Sequence, residues 1–370
     1  MKALLFVTVL FAAACSGSSD QDGAASTVVS SVPTATAAES ATAPTSESSP
    51  ATTVPDTTEP ATTEPATTVP DTTAAPLPAA TVDDLLALGR PIVLAHAAGE
   101  DEFPHSTPYG YAQSVAAGVD MLDLDVQLTG DGVLIVQHDG DVDRTTDGTG
   151  EVAAMTYEQV AALDNAYWFT ADCVCREQPE EAYVYRGIRT GDVAPPAGAT
   201  PADFAIPRFR DIVERWPDMP LNIEIKGEGA TAVEAARVLA DELTELDRLD
   251  AAVVTSFDDT VVTAFGEFAP TVELTPGLGL STAWVLDGTP LPDGMRILQL
   301  PPEYNGLEVL TPEVVAASHD AGYVIWVWPN DRVWENAAGY EQLLDMGMDG
   351  LNINFPGLGV ATVQQWIAAS

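Results

Sequence analysis

Residues 121–139 read MLDLDVQLTGDGVLIVQHD. An apolar run that alternates with Asp123, Asp125 and Gln127 leads to Thr129-Gly130-Asp131-Gly132, a tight-turn signal, and a second apolar run then ends on His138. The spacing predicts a strand, a hairpin at 126–136, and a return leg that delivers His138 to the end at which the aspartates stand. Residues two apart on a strand share a face, so both carboxylates project together.

Comparable runs occupy residues 91–96, 221–226, 252–257, 272–275, 297–300, 323–328 and 350–354, and helical patterns cover 109–117, 230–245, 312–320 and 336–346. This alternation predicts βα units around a parallel sheet, an α/β fold of the TIM (β/α)8 barrel type with one strand more than a barrel needs. Functional side chains in such barrels gather at the C-terminal strand ends. His96, Asp123, Asp125, His138, Glu224 and Lys226 all lie at or near such ends. Singly, an Asp-x-Asp is a polar strand face and a strand-end histidine is solvated. Together, at the ends of otherwise apolar strands, they must pair with one another or bind a metal. Carboxylates without cysteine suit Mg²⁺ or Ca²⁺ rather than zinc. Such a cation would polarise a phosphoryl oxygen, Lys226 would hold the phosphate, and two imidazoles would exchange protons with nucleophile and leaving group.

The ordered motifs resemble the glycerophosphodiester phosphodiesterase family of the PLC-like phosphodiesterase superfamily. That family carries His-Arg-Gly, Pro-Glu-Asn-Thr, Glu-x-Asp-Val with a Thr-x-Asp-Gly turn, Val-x-His-Asp and Arg-Thr-Thr. This chain has His96-Ala97-Ala98-Gly99, Pro104-His105-Ser106-Thr107, Asp123-Leu124-Asp125-Val126, Thr129-Gly130-Asp131-Gly132, Val136-Gln137-His138-Asp139 and Arg144-Thr145-Thr146. Glu224-Ile225-Lys226, Ser256-Phe257, the segment 326–330 and the closing strand 348–356 are similar to later family segments. The resemblance implies a metal-dependent phosphoric diester hydrolase acting on a small phosphodiester or lysophospholipid, with His96 and His138 as the acid/base pair. It implies Asp123, Asp125 and Glu224 as ligands of a divalent cation, Ca²⁺ or Mg²⁺, and Lys226 as a phosphate contact.

The chain departs from the family pattern at Ala97, where an arginine is expected, at His105 for glutamate, at Asp123 for glutamate, and at Asn354 for aspartate. Losing a bidentate arginine–phosphate contact costs about 1.5–3 kcal/mol. The insertion at 166–203 holds Arg186 and Arg189 among aromatic residues, so one of these arginines is expected to fold over the barrel mouth and meet the phosphate. Glu100, Trp326 and Trp328 are further expected substrate contacts. Cys173 and Cys175 form a C-x-C that is either a disulfide or two free thiols.

Residues 1–14 predict an export signal, with Lys2 ahead of a short apolar run. Cys15, after Ala12-Ala13-Ala14, resembles a bacterial lipoprotein cleavage site. The expected state is therefore lipidated at Cys15 and anchored to the outer face of a bacterial membrane, or otherwise secreted. Residues 15–81, rich in Thr, Ser, Pro and Ala, predict a disordered tether, and residues 82–370 the catalytic barrel. The chain has 56 acidic and 14 basic residues, and 48 of these acids and 13 of these bases lie beyond residue 80. Nucleic acid is excluded as a partner, because it requires a basic footprint. Two other functions fit the same residues: a phospholipase D or sphingomyelinase D-like activity, and a non-catalytic surface lipoprotein that binds phosphorylated ligands.

Overall fold

The structure, a computed structural model, describes residues 80–171 and 173–370. The expected export signal, the lipidation site Cys15 and nearly all of the tether lie outside the described residues. Nine strands form the main sheet: β1 Ile92–Ala95, β2 Met121–Leu128, β3 Leu134–Val136, β4 Leu221–Ile225, β5 Ala252–Thr255, β6 Glu273–Leu274, β7 Ile297–Leu300, β8 Val324–Val327 and β9 Gly350–Ile353. The path runs β6-β5-β4-β2-β1-β9-β8-β7, with every neighbouring pair parallel, and β3 alone lies antiparallel, against β2. The surplus strand is thus the hairpin's return leg, with Val126 opposite Val136.

The eight parallel strands make a nearly closed TIM-type barrel. At the seam between β6 and β7, side chains replace the ladder: Arg296 donates to Glu273 through its backbone and guanidinium, and Gln299 donates to Thr275.

Alternation along each strand sorts side chains between two cores. Outward residues such as Leu122, Leu124, Ile223, Val254 and Ile325 pack with helical residues such as Leu239, Phe265 and Leu343. Inward residues change character from floor to rim. Ile92, Leu94, Met121, Val253, Ile297 and Trp326 build an apolar floor, joined by Val82 and Leu85 of the entry helix Val82–Leu86. Above it, Asn222 and Gln299 exchange hydrogen bonds across the interior, and Asn222 also donates to Asp123. His96, Asp125, Glu224 and Lys226 follow at the rim. The barrel is filled with apolar side chains below and with polar and titratable ones above.

Trp326 belongs to the floor and does not contact the mouth as expected. It is 1% exposed, and Gly350 on the adjacent strand leaves room for its ring, since a Cβ there would sit 2.6 Å from Trp326 Cδ1. Trp328, two residues on, is half-buried at the mouth beside Phe257. Truncating Trp326 to alanine is expected to cost about 3–5 kcal/mol in urea unfolding, and Trp328→Ala less than half of that. Equal losses would contradict the floor-to-rim order.

Candidate functional site

The barrel mouth opens into a cavity of about 660 Å³. Its lining includes the polar His96, His138, Asp123, Glu224, Lys226 and Arg144 and the apolar Phe257, Leu278, Val285, Leu300, Leu307 and Trp328.

His96 directly follows β1, where the chain turns through three consecutive left-handed residues: Ala97 at φ 44°, Ala98 at φ 72° and Gly99 at φ 81°. Each non-glycine residue there costs on the order of 1–2 kcal/mol. The turn is held because Ala97 O accepts from Ser106 N at 2.8 Å and Ala98 O accepts from Ser114 Oγ at 3.0 Å. Gly99 is required by packing as well, because a Cβ would lie 2.6 Å from Pro356.

His138 follows the hairpin's return leg, and its ring stands edge-on to His96 with 6.2 Å between centroids. Both imidazoles are held at Nδ1: His96 lies 2.8 Å from Asn354 Oδ1, and His138 lies 2.7 Å from Asp139 Oδ1. Asp139 also accepts from Arg144 Nε at 2.5 Å, while Arg144 donates to Glu100 at 3.1 Å and to His105 Nε2 at 3.0 Å.

This network sets the charges. Burial opposes charge on His96, yet Glu100, Asp123 and Asp125 outweigh it and raise the imidazole to about 9. Burial, reinforced by the adjacent Arg144, pushes His105 down to about 3, so it stays neutral and accepts from that arginine. Burial opposes charge on Glu100 as well, yet the charged His96 and Arg144 lower it to about 2.

Asp123 and Asp125 part company. Burial, with Asp125 alongside, raises Asp123, whereas Lys226 and the histidines lower Asp125 despite its burial. Lys226 Nζ is drawn to 3.0 Å from Glu224 and 3.5 Å from Asp125, and the two carboxylates hold it charged. Among the described residues no three His, Cys, Asp or Glu side chains are arranged to hold a metal ion. The chemistry of the donors nevertheless suits a hard cation, since Asp125 Oδ2 is buried with no hydrogen-bond partner beside two further carboxylates.

His96, His138, Asp123, Asp125, Glu224, Lys226, Glu100 and Trp328 therefore stand together at one end of the barrel. Arg186 and Arg189 do not join them. Arg186 is stacked on Tyr183, 3.6 Å from its ring centre, as well as on Tyr167 and Trp168, and it pairs with Glu180. Arg189 donates to the carbonyl of Ala161. The insertion uses its arginines to fasten itself, because aromatic faces and carbonyl oxygens lie within reach of a long cation. Among the described residues of the insertion only Cys173 and Val174 line the cavity, and Cys173 is bonded to Cys175.

Sequence reasoning overlooked Asp139, Arg144, Asn222 and Asp101 as site residues. Asp139 and Arg144 carried a signal in the Val-x-His-Asp and Arg-Thr-Thr motifs, Asn222 was two residues before Glu224, and Asp101 had none.

The family model describing the glycerophosphoryl diester phosphodiesterase family matches residues 96–358. A relative described as an uncharacterized protein of Mycobacterium tuberculosis is 35% identical over 145 residues, which is 38% of this chain and 45% of that protein's length. A glycerophosphodiester phosphodiesterase of Caldanaerobacter subterraneus is 26% identical over 271 residues, covering 72% of this chain and 94% of the relative. An Oleispira antarctica phosphodiesterase, solved in complex with the product sn-glycerol-3-phosphate, superposes with a TM-score of 0.56 at 18% identity, over 74% of this chain and 97% of that one. This last likeness shows the fold.

The neutral state of His105 is open to test by NMR titration of the metal-free protein. Its ring is expected not to titrate above pH 4, and Arg144→Met is expected to move the transition upward, because removing a neighbouring cation favours the imidazolium. A His105 transition near pH 6.5 in the unaltered protein would contradict the network.

Proposed function

We propose, on the premise that the chain belongs to the glycerophosphoryl diester phosphodiesterase family, that this protein is a divalent-cation-dependent phosphodiesterase acting on a glycerophosphodiester or a lysophospholipid headgroup. The observation that carries the reading is the pair of facing histidines, each tied back at Nδ1, beside buried carboxylates and a lysine. Ligand binding alone requires no proton-transfer pair. The relative solved with glycerol 3-phosphate supports a small phosphodiester as the substrate.

Asp123, Asp125 and Glu224 would hold the cation, which when bound polarises a phosphoryl oxygen and offsets its charge. The rest falls to the chain's own groups. Lys226 meets the phosphate as a charge already fixed at the rim. With Nδ1 of each histidine committed to an acceptor, Nε2 is the nitrogen that exchanges a proton. One imidazole takes the proton of the attacking hydroxyl or water as its oxygen bonds to phosphorus, and the other protonates the alcohol oxygen as the P–O bond breaks. The apolar lining residues Phe257, Leu300 and Trp328 would offer contacts to the alcohol portion of the substrate.

The placement proposed for the protein is outside the cell, on a tether from a lipid-modified Cys15. Among the described residues no helix is long and apolar enough to cross a membrane.

The purified protein, supplied with Ca²⁺ or Mg²⁺, is expected to hydrolyse at least one of glycerophosphocholine, lysophosphatidylcholine and bis-p-nitrophenyl phosphate, and to stop in EDTA. His96→Ala and His138→Ala are each expected to lower kcat/KM by about 10²–10⁴-fold. Turnover that survived His138→Ala would overturn the assignment. No turnover of any of the three with either cation would favour a binding protein.

In the same assay, Arg186→Met is expected to leave kcat/KM unchanged, while Arg144→Met is expected to lower it about 10-fold or more. The reverse order would return the phosphate contact to the insertion.

A further inference from the structure

His96 is held by a chain of groups that begins on a distant loop. Arg332 donates through Nη1 to Asp101 Oδ1 at 2.8 Å. Asp101 Oδ2 accepts from Asn354 Nδ2 at 2.8 Å. Asn354 Oδ1 lies 2.8 Å from His96 Nδ1. Asp101 is 4% exposed, and Asn354 is fixed a second time by its backbone N–H, which donates to Glu335 at 3.2 Å.

The order of donors in this chain is dictated by chemistry. An amide presents a donor on one side and an acceptor on the other, and either end can face a given neighbour until something selects. A carboxylate accepts only. With Arg332 on one oxygen, Asp101 draws the amide's NH₂ to the other, and this turns Asn354 Oδ1 toward His96. An acceptor there requires a hydrogen on Nδ1. Glu100 Oε1, 3.6 Å from the same nitrogen, is beyond hydrogen-bonding range, and its other oxygen is engaged by Arg144.

We propose that Asp101, braced by Arg332, is a positioning residue that orients the Asn354 amide, and that this amide holds the neutral His96 ring in the tautomer carrying hydrogen on Nδ1, leaving Nε2 to face the reacting atoms. The proposal deepens the catalytic reading of His96 and rests on it for its functional consequence. It also accounts for Asn354 at a position where the resembling family commonly has aspartate: an aspartate needs no orienting partner, whereas an asparagine does, and Asp101 is that partner. His138 is held differently, directly by the carboxylate of Asp139. One histidine is thus backed by a charge and the other by an oriented dipole.

The test compares the unaltered protein, Asp101→Asn, Asn354→Asp and the double exchange Asp101→Asn/Asn354→Asp, each labelled with ¹⁵N-histidine. In the unaltered protein, in spectra recorded at a pH where the His96 ring is neutral, its Nδ1–H is expected as a slowly exchanging, hydrogen-bonded resonance. In Asp101→Asn the new amide can donate or accept, Asn354 is free to turn over, and the resonance is expected to weaken or vanish. kcat is expected to fall about 10–100-fold with KM little changed. The double exchange puts an amide donor at 101 facing a carboxylate at 354 that can only accept, so an acceptor again faces His96 Nδ1, and both the resonance and kcat are expected to return toward the original values. A His96 Nδ1–H that is absent from the unaltered protein, or unaffected by Asp101→Asn, would overturn the proposal whether or not the protein turns over a phosphodiester. If the resonances behave as expected while kcat does not change, the catalytic assignment of His96 fails and the positioning chain stands.

Discussion

Asp123 and Asp125 put two carboxylates on the inward face of one strand, both almost wholly buried. At the separation that strand geometry allows, two such charges repel by on the order of 2–3 kcal/mol at an effective dielectric of about 20, and each also resists losing its water. The surrounding groups answer that strain in different ways. Asn222 donates to Asp123, Lys226 lies against Asp125 and Glu224, and His96 is driven toward its charged form. Asp123 still has its affinity for a proton raised. A site that accumulates this much negative charge, in a domain that is itself strongly acidic, admits an anionic substrate only when cations balance it. Lys226 and Arg144 supply protein cations at the mouth, and a divalent ion is proposed beside them.

Much of this was legible because the barrel repeats a simple rule. With period two, Ile92, Leu94 and His96 lead upward along one strand, Met121, Asp123 and Asp125 along the next, and Asn222, Glu224 and Lys226 along a third. Polarity that rises toward the end of each strand marks both the inward face and the active end. The hairpin was legible from its turn, and the extra strand it created was the very one that does not join the parallel barrel.

Depth and direction were less legible. Trp326 and Trp328 share a face, and only the register against Gly350 places one under the site and the other at its mouth. Arg186 among tyrosines and a tryptophan has the same sequence whether it reaches over a pocket or stacks on its own ring neighbours, and the structure has it stacked. The network from His138 through Asp139 and Arg144 ends on Glu100, and although the first three are close neighbours in sequence, no local pattern ties them to Glu100 on the loop after β1. Ala97 vacates the position of the motif arginine, yet the mouth retains Arg144 and Lys226 as cations.

The account stands most directly on whether the paired aspartates are a cation site. Calorimetric titration of the metal-free protein with Ca²⁺ and Mg²⁺ is predicted to show one saturable site for at least one of them, weakened about 100-fold or more by Asp125→Asn, a loss of about 2.7 kcal/mol. No saturable binding of either ion, or an affinity unchanged by that substitution, would contradict it.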